Sequence, residues 1–183
     1  MKAERTKLKV VDTKVKQGVA CTTYDCERTK MKIVAQRASY GQVVVDGDVV
    51  GRLPSPGLVL LVGVTHDDTF AVAEKMAAKI WGLRILTNPA GVNPEAWSRG
   101  DVSASDIDAP LLVVSQFTLY GDTRKGRRPS WDRAAKAEVA QPIFDHFVRS
   151  LRSLGAHVET GIFGALMEVS LTNTGPVTLI LEA

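Results

Sequence analysis

Met31-Lys-Ile-Val-Ala-Gln-Arg37 and Gln42-Val-Val-Val-Asp-Gly-Asp-Val-Val50 decide the fold class. The first stretch alternates apolar and polar residues, the period of a half-buried strand. The second sets Asp46-Gly47 between two valine-rich runs. That dipeptide suits a two-residue turn with positive φ at both central positions, so 42–45 and 48–50 are predicted as an antiparallel hairpin.

Downstream, Pro54-Ser-Pro-Gly57 reads as a loop and Leu58 to Val64 as a central strand. The apolar run from Gly57 to Val64 is far shorter than the ~18 residues that span a bilayer. Asp67-Asp68 are predicted to start a helix, their charges matching its N-terminal dipole, with Val72, Met76, Ile80 and Leu83 as its buried stripe. Residues 87–110 carry repeated Asn-Pro, Ala-Gly and Arg-Gly pairs and read as irregular. A strand follows at Leu111 to Ser115, then a polar loop over 121–133. The second helix is predicted from Ala134 to Leu154, with Val139, Ile143, Phe147, Leu151 and Leu154 as its stripe. Pro142 kinks it or marks its real start, and Gly155 ends it. Strands at 158–160, 166–172 and 177–181 complete the chain. Hairpins outnumber β-α-β alternation, so the expected class is α+β: a mainly antiparallel sheet or barrel-like domain with two principal helices.

Residues 1–30 differ from the rest. They hold eight Lys/Arg and four Asp/Glu, a net +4, whereas residues 31–183 sum to −1. The whole-chain charge of +3 therefore says little about the domain, and any nucleic-acid surface has to be local. The domain is expected over 31–183. Residues 1–30 are expected to be either a flexible extension or sequence upstream of a native start at Met31. Cys21 and Cys26 lack a nearby His to complete a metal site and read as reduced thiols. With no secretory h-region, a cytoplasmic location is expected.

The usual catalytic signatures are missing. Gly121-Asp-Thr-Arg-Lys-Gly126 lacks the Gly-Lys-Ser/Thr of a phosphate loop. His66, His146 and His157 show no metal-ligand spacing; no metal or cofactor is expected. Three segments remain. Arg124-Lys125-Gly126-Arg127-Arg128 reads equally as a solvated loop or a phosphate-binding patch. Ser115-Gln116-Phe117-Thr118-Leu119 lies where a strand stops. Its polar groups either satisfy loose backbone or line a pocket, with Phe117 offering a ring for a base to stack on. Gly175-Pro176 is either an ordinary turn or a rigid pair of carbonyl acceptors.

Taken together, Ser115 to Leu119 and Asn173-Thr-Gly-Pro-Val-Thr178 make residues 31–183 resemble D-aminoacyl-tRNA deacylase of the bacterial and eukaryotic type. Gln36-Arg37, Gly63-Val-Thr-His-Asp-Asp68 and Asp122-Thr-Arg-Lys-Gly-Arg-Arg-Pro-Ser130 support the resemblance. The departure is 87–110, where the family's Met-Asn pair is absent. The resemblance implies a homodimer that hydrolyses the ester joining a D-amino acid to the 3′-terminal ribose of tRNA, and mischarged glycyl-tRNA as well. It implies that Gly175-Pro176 is cis, enters the partner's site and excludes an L side chain. It places the catalytic site at Ser115, Gln116, Phe117 and Thr118, with amides near Phe117 and Thr118 meeting the oxyanion and the tRNA 2′-hydroxyl moving the proton. Arg37 would steady the Gly-Pro loop, and Met167 would line the pocket or fill the core. Phe117, Arg124, Lys125, Arg127 and Arg128 would meet the tRNA. Two rivals stay open: a non-catalytic RNA-binding dimer, and a small-ester hydrolase using Thr118 as nucleophile.

Overall fold

The computed structural model describes residues 30–88, 102–124 and 126–183. The cysteines, Lys125, most of the extension and the middle of 87–110 lie outside that range.

The order is β1 (Lys32–Val45), β2 (Asp48–Arg52), β3 (Gly57–Gly63), α1 (Phe70–Trp81), β4 (Leu111–Ser115), a 3-10 turn (Phe117–Tyr120), α2 (Ala137–Ser153), β5 (Val158–Thr160) and β6 (Glu168–Glu182). The expected hairpin is present: Asp46 and Gly47 take φ of 51° and 88°, and Val45 pairs with Asp48.

β1 is one strand, not two. Ala38-Ser-Tyr-Gly41 breaks the sequence alternation because the strand bulges there, with register shifts against β6 between Gln36 and Tyr40. One side of β1 pairs with β3 along its first half and β2 along its second; β6 covers the other side. Likewise 166–172 and 177–181 belong to a single β6. The mainly antiparallel expectation holds for β1, β2, β3 and β6, but β3–β4 and β4–β5 are parallel. Helices α1 and α2 are the crossovers of a β-α-β-α-β run, which local hairpin signals hide. The sheet nearly closes. A Cβ added to Gly51 of β2 would lie 2.4 Å from the Thr160 carbonyl oxygen of β5, so only glycine allows that approach.

β3 and β4 read as continuous apolar runs because both their faces are covered. Leu58, Leu60, Val62, Leu111 and Val113 join Met76, Ile80, Phe147 and Leu151 in the core beneath the helices. Val59, Leu112 and Val114 face inward with Val43 and Leu53.

Three local expectations need correction. The helix starts later than Asp67-Asp68: Thr69 caps α1, its hydroxyl accepting from the Val72 amide at 3.4 Å. The Asp68 carboxylate instead accepts the amides of Met31 (2.9 Å) and Thr65 (2.8 Å). Burial raises its pKa, partly offset by those two bonds. The helix stripes hold in part: Met76 and Ile80 of α1 and Ile143, Phe147 and Leu151 of α2 are buried, but so are Ala73, Ala77, Trp81, Ala140, Phe144 and Val148, while Val139 and the capping Leu154 are exposed. Pro142 lies inside α2, which begins five residues earlier at Ala137.

Candidate active site

β4 ends at Ser115, paired in parallel with Val62. The Gln116 amide donates to the Val62 carbonyl at 2.8 Å, and the chain then tightens into the 3-10 turn. Gly63 makes room for it: a Cβ there would sit 3.0 Å from the Tyr120 ring and 3.2 Å from the Gln116 carbonyl oxygen. The turn is held by Leu119 N–H to Gln116 O (3.3 Å) and Gly121 N–H to Thr118 O (3.0 Å). Beneath it, the buried Tyr120 hydroxyl donates to the Lys30 carbonyl at 2.5 Å, and burial pushes its pKa up. Among the described residues the amides of Phe117 and Thr118, the first two of the turn, meet no backbone acceptor. The Thr118 hydroxyl accepts from the Gln116 side-chain amide. No imidazole, amine or carboxylate of the described residues hydrogen-bonds it, so nothing there would activate it as a nucleophile.

A cleft of ≈ 230 Å³ opens beside this turn, lined by Val62, Val64, Phe117, Ala135, Phe144 and Phe163 among others. It lies past the carboxyl ends of the parallel pair β3–β4, where open α/β sheets hold their ligands. Alanines make the space, at 135, 137 and 140. The exposed Phe117 ring meets Trp131 edge-on at 5.6 Å, and Phe144 and Phe163 stack tilted at 5.9 Å. The cleft suits a flat apolar group such as a base. Trp131, Phe144, Phe163 and the alanines are absent from the sequence-level site because they come from separate segments.

Gly175-Pro176 sits elsewhere. Ala38 pairs with Asn173 and Gln36 with Thr178, so residues 174–177 loop out opposite the single residue Arg37. The Gly175-Pro176 bond is cis, and both residues are exposed. Asn173 Nδ2 donates to the Arg37 and Val177 carbonyls, each at 3.0 Å, and closes the loop's base. Arg37 is buried, 8% exposed, with its charge turned on the tip: Nε donates to Thr174 O at 3.0 Å and Nη2 to Gly175 O at 2.9 Å.

The two motifs occupy opposite ends of β3. Arg37 pairs with Leu58, while Ser115 pairs with Val62. Four residue steps along the strand separate them, about 13 Å at the usual rise. Neither Gly175 nor Pro176 lines the cleft of the same chain.

In the basic loop, Asp122 and Ser130 form a two-bond bridge of 2.9 and 3.0 Å. Arg124 folds back on Asp122, Nε to both carboxylate oxygens at 3.0 Å, and holds that carboxyl well below the usual range. The run therefore presents less free charge than its sequence suggests; Arg127 and Arg128 are exposed. Met167 packs on the inner face of the sheet, its Sδ 2.4 Å from where a Gly161 Cβ would be. It lines neither the cleft nor the Arg37 surroundings.

Known proteins resemble this chain in sequence and in fold. The family described as D-Tyr-tRNA(Tyr) deacylase matches residues 34–182. A D-aminoacyl-tRNA deacylase of Cutibacterium acnes (strain DSM 16379 / KPA171202) is 59% identical over 152 residues, covering 83% of this chain and 97% of the relative. One from Nocardia farcinica (strain IFM 10152) is 56% identical over 155 residues, covering 84% and 100%. A solved structure of a c-Myc DNA unwinding element binding protein superposes with TM-score 0.73 at 32% identity, covering 83% of this chain and 98% of that one. A probable eukaryotic D-amino acid tRNA deacylase shares the fold, with TM-score 0.73 at 16% identity over 84% and 100%. The class is thus that of the deacylases, hydrolases built on a nearly closed α+β sheet. The chain belongs to the D-Tyr-tRNA(Tyr) deacylase family.

Proposed function

We propose that this protein hydrolyses the ester of D-aminoacyl-tRNA, and of mischarged glycyl-tRNA, releasing the amino acid and tRNA in the cytoplasm. Among the described residues no helix is long and apolar enough to cross a membrane. The terminal adenosine enters the cleft beside Phe117, and the ester carbonyl lies over the Phe117 and Thr118 amides. Water attacks the carbonyl carbon, and the oxyanion is met by those amides, each well-placed donor being worth roughly 3–4 kcal/mol in comparable sites. The ribose 3′-oxygen leaves with a proton relayed through the neighbouring 2′-hydroxyl. Arg127 and Arg128, with Lys125, attract the acceptor-stem phosphates, while Arg124 is held by Asp122.

The observation that carries the reading is the separation of the two motifs along β3. Neither Gly175 nor Pro176 lines the cleft of its own chain, so the tip serves the cleft of a second copy. A homodimer then forms two sites, each closed by the partner's tip. The tip carbonyls accept the α-amino group of a D residue and leave no space for an L side chain, which is selection by exclusion. Glycine, with no side chain, passes.

The test is release of label from D- and L-tyrosyl-tRNA by the full chain. Selective loss of the D label is expected; equal loss of both, or of neither, overturns the reading. Mixing a chain lacking residues 175–176 with one whose cleft is blocked by Ala137→Trp should restore activity that neither has alone.

A further inference from the structure

We propose that Thr87 is a positioning residue for the Gly175-Pro176 tip, acting through Arg37; the proposal rests on the D-selective deacylase reading above. Arg37 is a planar fork with donors in fixed directions, so each acceptor it meets restricts its orientation. Its Nε and Nη2 face the tip carbonyls of Thr174 and Gly175. Its Nη1 reaches the other way, donating to Thr87 Oγ1 at 2.8 Å. Two bonds on one edge orient the guanidinium, and the third, on the opposite edge, restricts it further. All three acceptors are neutral, so the buried charge stays committed to the tip by geometry rather than by a counter-ion.

The segment that carries Thr87 is itself well held. Ile85 and Leu86 are buried, and Leu86 exchanges two backbone bonds with Val102, at 3.0 and 3.1 Å. Thr87 is exposed and adds nothing to the core. Arg37, Thr87, Thr174 and Asp108 line one cleft of ≈ 350 Å³. Without the Thr87 hydroxyl, Nη1 loses its acceptor and the guanidinium is held less firmly towards the tip carbonyls. Thr87 is therefore the residue that keeps Arg37 directed at the tip.

The experiment compares wild type, Thr87→Val and Thr87→Ser as full chains, reading kcat/KM for D- and L-tyrosyl-tRNA and the thermal midpoint. Thr87→Val should lower the D/L ratio about tenfold, equivalent to 1.4 kcal/mol, through a rise in L hydrolysis at unchanged thermal midpoint. Thr87→Ser, which keeps the hydroxyl, should stay within about twofold of wild type, the range of a neutral surface change. A Thr87→Val ratio equal to wild type overturns the proposal. So does equal loss in both variants, or a joint fall of D and L rates with a lowered midpoint. A wild type without D preference overturns the deacylase reading itself, and is told apart by that control.

Discussion

Thr118→Ala separates backbone catalysis from side-chain catalysis. The Thr118 hydroxyl makes one described hydrogen bond, to the Gln116 side chain on an exposed surface. The net worth of such a bond is about 0.5–1.5 kcal/mol. The turn that presents the Phe117 and Thr118 amides is closed by backbone bonds alone, from Leu119 to Gln116 and from Gly121 to Thr118. The substitution leaves those bonds in place. The expected loss in rate is therefore at most about tenfold, since 1.4 kcal/mol is a factor of ten. Removing a true nucleophile costs on the order of 10⁶-fold in a serine hydrolase, so the two accounts lie orders of magnitude apart. The assay is single-turnover hydrolysis of D-tyrosyl-tRNA at saturating enzyme, with oligomeric state and tRNA affinity measured on the same preparation. A loss beyond roughly 10³-fold, far outside one neutral hydrogen bond, with assembly and binding intact, refutes the backbone account. D-tyrosyl-tRNA ending in 2′-deoxyadenosine should be a poor substrate for wild type and variant alike.

Ala137 is the exposed first residue of α2 and lines the cleft, so Ala137→Leu adds bulk there without disturbing the core. An overpacking cost of about 1–3 kcal/mol should raise KM for the tRNA roughly 5- to 150-fold at constant thermal midpoint; an unchanged KM means that the cleft does not hold the tRNA end. Asp122→Asn releases Arg124 from its carboxylate. The slope of log affinity against log salt for tRNA should steepen by about one phosphate contact, and an unaltered slope would show that Arg124 reaches no phosphate. Asp68 has a raised folded-state pKa. Its contribution to stability is thus full below the ordinary carboxylate range and is lost as pH rises through the folded value. Urea midpoints of wild type against Asp68→Asn across mildly acid pH should show the wild type losing ground as pH rises; parallel curves would contradict this.

What the sequence revealed was set by how local the physics is. The Asp46-Gly47 turn was legible because its two residues suffice to specify positive φ. The strand ends at Ser115 and around Gly175-Pro176 were legible as breaks in apolar runs. The parallel β3–β4–β5 arrangement was not, since each crossover looks locally like a strand followed by a helix. The cleft walls were not either: Phe144 and Phe163 line the same cleft as Phe117 only after three segments fold together. Arg124 and Asp122 are two positions apart, close enough for the pairing to be read, yet the density of cations drew the reading elsewhere. Thr87 and Arg37 are joined across fifty positions, and no pattern in either neighbourhood hints at it.

The placement of β6 has a consequence for how the protein is made. β1 lies near the start of the domain and β6 at its end, and the bond from Arg37 to Thr174 spans 137 positions. During synthesis β1 finds β2 and β3 early, but its other edge has no partner until the last strand clears the ribosome. Contacts of such long range are slow to form, and an unpaired edge invites other chains. Until β6 arrives the core beneath the helices also lacks Leu181, and β1 keeps one open edge. The Arg37 clamp is among the last contacts to close, so a truncated chain would carry the residues of the cleft but not the Gly175-Pro176 loop.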